Sequence, residues 1–223
     1  ILDLACGSGP LLKILFDRNK NLNLKGIDMC PEELNLAKKL LINSKVNLIE
    51  SKAQNLSAIN DNSIDIVLCH WALTLMDPIT PVLDEVKRVL NNKGQFAALV
   101  DGPKDTAPGY KEVHDLIYSY VQEEIPSYGV IDLGDPRIRG SKSLNDLANK
   151  SFPEANVTIE TNVVSLEGPV IQVAETVAGF FYATFILKPK KRKSMIASLS
   201  NILAISKEST DAVRQGRFSM PIS

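Results

Sequence analysis

The sequence is poor in the residues from which metal and redox centres are usually built. Its 223 residues include two histidines, one tryptophan and three cysteines, and Cys6, Cys30 and Cys69 lack the spacing of zinc ligands. Each of the three falls at the end of an apolar stretch. They read as small apolar side chains in a reducing, cytoplasmic setting, not as a joint metal or redox site. An excess of either charge is missing too: 25 Lys and Arg stand against 26 Asp and Glu. That balance gives no support to a nucleic-acid partner, which would want a broad basic field. Long apolar runs are also lacking. The best one, Val173 to Leu187, is interrupted by Glu175 and carries Thr176, Tyr182 and Thr184. It is shorter than the roughly 20 residues of a membrane span and reads as a buried helix. The remaining composition, 44% apolar, suits one α/β domain across residues 1–223.

What is present begins at the first residue. Ile1-Leu2-Asp3-Leu4 is an apolar strand that runs directly into the small-residue turn Ala5-Cys6-Gly7-Ser8-Gly9. Pro10 suits a first helical position, and Leu11, Leu12, Leu15 and Phe16 follow at helical spacing. Gly7 and Gly9 allow backbone to approach a ligand where a Cβ would collide, and the helix start behind them offers free N–H groups. A dinucleotide fingerprint would need a third glycine for close packing of helix on strand. Counted from Gly7 that place holds Leu12, and counted from Ala5 it holds Pro10. The pyrophosphate reading fails in both registers.

The segment resembles motif I of the class I S-adenosylmethionine-dependent methyltransferases, with Asp3 as the acidic residue and Ala5 in the first glycine place. Leu24 to Ile27 is a second short strand, ending at Asp28, with Met29-Cys30-Pro31-Glu32-Glu33 leading into a helix. Asp28 stands where a strand-end carboxylate reaches a ribose; a solvated turn aspartate is the plainer alternative. Val46 to Glu50 reads as a third strand, and the next residues occupy the family's adenine-contacting place. The family often has an acidic residue where this chain has Lys52, and lysine has no acceptor. Gln54 or the backbone of Ala53 would have to take over.

Ile64 to His70 resembles the family's fourth strand, and Thr80-Pro81 opens a helix carrying Val82, Leu83, Val86, Val89 and Leu90. Asn91 to Gly94 reads as a turn before a fifth strand, Gln95 to Val100. The alternation implies a Rossmann-like doubly wound α/β fold, mostly parallel, with an antiparallel last strand and helices on both faces. The resemblance is close over residues 1 to about 101, nearest the type 11 group that includes ubiquinone and menaquinone biosynthesis methyltransferases. It implies S-adenosylmethionine held by Asp3, Ala5, Cys6, Gly7, Gly9, Asp28, Met29, Ala53, Gln54 and His70, and a small-molecule acceptor.

Residues 102–216 are the acceptor side. Tyr110 to Glu124 has helical spacing, Leu144 to Ala148 is a short helix, and Val157 to Val164 is rich in β-branched residues and reads as a strand. Pro169 to Leu187 and Ser194 to Ile205 read as helices inserted before a final strand that starts at residue 217. Phe180, Phe181, Tyr182 and Phe185 are either plain core or the lining of a pocket for a flat acceptor. Lys188 to Lys193 resembles a nuclear localisation signal, with a solvated loop as the blander reading. Because Ile1 already belongs to a strand and Ser223 falls within one, both ends are expected to be truncated, leaving the cofactor incompletely covered.

Methyl transfer needs no covalent nucleophile and gains most from holding donor and acceptor in line. His70 is the candidate general base by position; the plainer reading has it lining the cofactor. His114, on a helix, is a weaker candidate. The family's signature for methylating nucleic-acid amino groups is absent after strand four, where the chain reads Cys69-His70-Trp71-Ala72. Two alternatives remain: a silent S-adenosylmethionine-binding module, motivated by Lys52, and an NAD-dependent oxidoreductase.

Overall fold

The apolar triplet Leu2–Leu4 forms strand β1, buried at all three positions, as expected for a strand covered on both faces. In the computed structural model, which describes residues 1–129, 134–205 and 214–223, four more strands lie parallel to it. These are β2 (Lys25–Asp28), β3 (Asn47–Glu50), β4 (Ile64–His70) and β5 (Leu90–Leu99). The sheet order is β3-β2-β1-β4-β5, so the chain reverses its direction of travel across the sheet between β1 and β4. In open α/β sheets ligands collect at that switch point, outside the carboxyl ends of the strands.

Three helices connect these strands, and each starts on proline chemistry. Helix α1 (Pro10–Arg18) follows a left-handed Gly9, α2 (Pro31–Leu40) carries Glu32 and Glu33 in its first turn and Lys38 and Lys39 in its last, and α3 (Thr80–Val89) has proline in its first turn. Those charges complement the helix dipole. Helix α3 buries Val82, Leu83, Val86 and Val89 in a core shared with Leu2, Leu4, Ile27, Val67 and Ile79. Ile138 and Leu147 join the same core, the latter from the helix Ser141–Ser151, here α5. By its internal contacts the chain divides into two units: Ile1–Val100 with Leu133–Ile159, and Asp101–Asp132 with Glu160–Ser223.

The second unit contains α4 (Tyr110–Gln122), β6 (Asn162–Pro169), α6 (Val170–Phe180), α7 (Pro189–Leu203) and β7 (Gln215–Ile222). The last strand is antiparallel, as expected, and it pairs with β6 in a separate two-stranded sheet. Pairing with β7 moves the strand expected at 157–164 to Asn162–Pro169, because register follows the partner strand and not β propensity. The expected turn at 91–94 lies within β5. There Asn91 donates from Nδ2 to Asp65 and accepts from the Lys93 N–H, while the register with β4 shifts between Ile64 and Ile66. The helix expected to reach Leu187 stops at Phe180, and Tyr182–Ile186 forms a 3-10 turn. The Thr184 hydroxyl donates to the Ala178 carbonyl, satisfying one of the acceptors that a helix end leaves open. Helix α7 begins at Pro189, so the basic run expected as a loop is its first turns.

Candidate functional site

The turn after β1 is built from left-handed backbone. Ala5 has φ 58°, Gly7 φ 52° and Gly9 φ 82°. Glycine adopts that region freely, whereas Ala5 carries a strain of about 1 kcal/mol. The turn is tied down by Cys6 N–H to the Ile27 carbonyl at 2.9 Å and by Gly9 N–H to the Cys6 carbonyl at 3.0 Å. A Cβ on Gly9 would stand 3.2 Å from both Ala37 and Leu41 of the α2 region, so this glycine is required by packing as well as by φ. Gly7 has no such neighbour; its nearest atom would be Glu33 Oε2 at 3.7 Å.

Asp28 ties this turn to the next two loops. Its Oδ2 accepts from Gly7 N–H at 2.8 Å, its Oδ1 from Cys30 N–H at 2.9 Å, and its carbonyl from Ser51 N–H at 3.0 Å. The side chain is therefore no solvated turn residue. A carboxylate offers about four lone-pair directions, so two backbone bonds leave capacity for two hydroxyls. Asp3, under the turn, is only 1% exposed, and its Oδ1 meets no hydrogen-bond donor. Burial, aided by the charge of Asp28, raises its carboxyl to about 7. Burial together with Asp3 pushes the Cys6 and Cys69 thiols up to about 12. Both are inert, as their reading as small apolar residues required.

The remaining expected residues lie on the same carboxyl edge of the parallel sheet. Met29 is largely exposed, directly after Asp28. Ala53 and Gln54 are half-buried after β3, with Ala53 packed on the core and Lys52 exposed. His70 ends β4, exposed and edge-on to Trp71 with ring centroids 5.9 Å apart. Partial burial of its ring lowers its pKa from the ordinary value. Trp71 has φ 60° and donates its N–H to the Leu99 carbonyl. His114 belongs to the second unit, stacked on Tyr118 at 4.0 Å.

Two contributors escaped the sequence reading. Gly26 on β2 faces Leu12, Cys6 and Leu48, whose side chains lie 2.6 to 2.9 Å from where its Cβ would be. It provides the close helix-on-strand packing that a third turn glycine gives elsewhere, which is why Leu12 is tolerated. Glu33, read as a helix-start residue, reaches the turn and joins Asp3 and Asp28 in raising the Cys6 thiol. The carboxylates of Asp28 and Glu33 at this glycine turn disfavour a pyrophosphate and favour a ligand with positive charge, while the Asp3 carboxyl beneath, raised to about 7, is only partly ionised at neutral pH.

A family model described as a methyltransferase domain matches residues 2–98. Over those residues, a little under half of the chain, the protein is similar to that methyltransferase domain. The demethylmenaquinone methyltransferase of Thermotoga maritima is 30% identical over 136 residues, 60% of this chain and 56% of its own length. The chain thus spans a little over half of that curated relative. The YcgJ protein of Bacillus subtilis superposes with a TM-score of 0.59 at 16% identity, over 99% of this chain and 88% of its own. The plantazolicin methyltransferase BamL, solved with a triazolic desmethylPZN analogue and S-adenosylhomocysteine, gives a TM-score of 0.50 at 14% identity, over 99% of this chain and 74% of its own. At such identities the two structures establish the fold alone. The matched residues run from β1 into β5 and include the whole turn described above.

Proposed function

We propose that this protein is a methyltransferase that binds S-adenosylmethionine and transfers its methyl group to a small-molecule acceptor. The observation that carries the reading is the acidic turn: an unpartnered buried carboxylate on Asp3, Asp28 with two lone-pair directions unused, and Glu33 beside Gly7. When bound, the cofactor supplies an electrophilic methyl on a sulfonium, and it brings an ammonium and two ribose hydroxyls. Asp28 accepts from the hydroxyls, a charge-assisted bond of the stronger kind. Glu33 offsets the positive charge of the methionine part, for which the turn Ala5 to Gly9 leaves backbone room, and that positive charge would favour the ionised form of the Asp3 carboxyl. Met29, Ala53 and Gln54 flank the adenine, with Lys52 turned to solvent. His70 either lines the cofactor or takes a proton from a hydroxyl or amine acceptor, and its lowered pKa leaves it neutral near pH 7, the state a base needs.

The acceptor is proposed as a small molecule because the relative from Thermotoga maritima acts, by its name, on demethylmenaquinone. Thermal shift with S-adenosylmethionine, S-adenosylhomocysteine and NAD side by side tests the cofactor, since a ligand of the native state alone raises stability by mass action. Stabilisation by the first two supports the reading, whereas stabilisation by NAD alone refutes it. Binding without turnover of any acceptor would favour the silent-module alternative.

A further inference from the structure

The second unit carries an exposed aromatic and aliphatic edge beside a dense run of cations. In a 3-10 helix residues three apart eclipse each other, so Tyr182 and Phe185 share one side of the turn Tyr182–Ile186. They are 74% and 63% exposed, and Ile186 beside them 42%, while Ala183 and Thr184 face inward. The chain then continues Lys188-Pro189-Lys190-Lys191-Arg192-Lys193, five cations in six residues. The Arg192 guanidinium lies 5.8 Å over the Phe185 ring, which places the basic run and the aromatic edge side by side. Between α6 and α7 a groove of about 520 Å3, lined by Ile171, Leu187, Ile196, Glu175, Arg192 and Lys193, extends the same surface.

This charge serves the fold poorly. Lys191 pairs with Glu123 at 3.0 Å and Glu124 at 3.2 Å. Lys188, Lys190 and Lys193 are exposed, and among the described residues none of them is in an ion pair. All are grouped at the start of α7, whose first turn holds no acidic residue, so they oppose its dipole. The chain as a whole has a net charge of −1, so the positive charge is local. An anionic surface with an apolar layer beneath it complements both halves: headgroups neutralise the lysines, and Tyr182, Phe185 and Ile186 enter the interface as such residues do in amphipathic anchors. Among the described residues no helix is long and apolar enough to cross a membrane, so the contact is with the surface.

We infer that the face formed by Tyr182, Phe185, Ile186 and the basic start of α7 docks on an anionic lipid bilayer. The inference is independent of the cofactor assignment, because binding to vesicles is read without turnover. The test is co-sedimentation of the full chain with vesicles of phosphatidylcholine alone and of phosphatidylcholine with phosphatidylserine. Binding is expected to the second only and to weaken with salt. Lys190→Glu with Lys193→Glu should weaken it by at least about 25-fold, taking about fivefold per lysine near a charged surface. Tyr182→Ser with Phe185→Ser should weaken it by about tenfold at unchanged charge. All four residues are exposed, so both variants should stay folded: the lysine pair should melt at or above the parent, since glutamates suit the start of α7, and the aromatic pair at most slightly below it through loss of the Phe185–Arg192 contact. No binding to the anionic vesicles, or binding that ignores either double substitution, overturns the inference. Capture of a nucleic-acid oligonucleotide in place of vesicles, unaffected by the aromatic pair, overturns it in favour of a polyanion site. A dimer in analytical ultracentrifugation that the aromatic substitutions dissolve overturns it in favour of a second copy.

Discussion

Replacing Asp28 by alanine perturbs the turn and the proposed ribose contact together, and the two effects can be measured apart. The carboxylate accepts from the Gly7 and Cys30 N–H groups at 2.8 and 2.9 Å. Each bond to a charged acceptor is worth roughly 1.5–3 kcal/mol. Part of that returns when the freed N–H groups meet water at a residue 9% exposed, so a net loss of about 2–4 kcal/mol of stability is expected. For a chain of this length that is roughly 4–16 °C in Tm. Loss of the ribose hydroxyls adds about 2–4 kcal/mol to the binding term, a 30- to 1000-fold rise in Kd for S-adenosylmethionine. Differential scanning calorimetry reads the first effect. Isothermal titration well below the lowered Tm reads the second, on protein that is still folded. An unchanged melt refutes the bracing role, and a Kd within a few-fold of the parent refutes the ribose role, each without touching the other.

Asp3 sets a pH dependence. Its folded carboxyl, raised from the ordinary 3.8 to about 7, holds its proton more tightly than in the unfolded chain. The associated stability is therefore fully present below about pH 4 and is lost as pH rises through about 7, by up to about 4 kcal/mol. Asp3→Asn should flatten that part of the pH profile in chemical denaturation; a profile that keeps its slope contradicts the assignment. Gly9→Ala should lower the Tm more than Gly7→Ala, since both carry a positive φ but only Gly9 meets neighbours at 3.2 Å; about 1–2 kcal/mol is expected for Gly7 and about 1–3 more for Gly9. Equal melts would contradict the packing argument. Gly26→Ala, whose Cβ would lie 2.6 Å from Leu12 Cδ1, should cost about 1–3 kcal/mol and be partly rescued by Leu12→Ala, as a double-mutant cycle would show.

The parallel half of the fold was legible because its strands end in apolar-to-glycine or apolar-to-acid junctions followed by proline-started helices, as at Asp3 to Pro10 and Ile27 to Pro31. These signals are local. The elements that were misread depend on partners distant in sequence. β6 takes its register from β7, whose paired residues lie 46 to 60 positions away, and Asn91 to Gly94 fall within β5 as an irregular stretch between the Ile64–Leu90 and Ile66–Gln95 pairs, where Asp65 accepts from Asn91. The candidate site rests on residue types visible in the sequence, Asp3, Gly7, Gly9 and Asp28, but their contacts with one another were not visible there. That Asp28 braces the turn, and that Gly26 compensates for Leu12, follow from contacts across strands which no spacing in one chain records. The basic run at 188–193 was visible as composition, yet its place at the start of α7 follows from Pro189.

If the acidic glycine turn after β1 holds S-adenosylmethionine, the affinity for that cofactor depends on Asp28. Isothermal titration of the full chain with S-adenosylmethionine and with NAD, each repeated on Asp28→Ala, tests it most directly. One site per chain is expected for S-adenosylmethionine, weakened 30- to 1000-fold by the substitution, with no heat from NAD. Binding of NAD in its place, or S-adenosylmethionine binding that the substitution leaves unaltered, would contradict it.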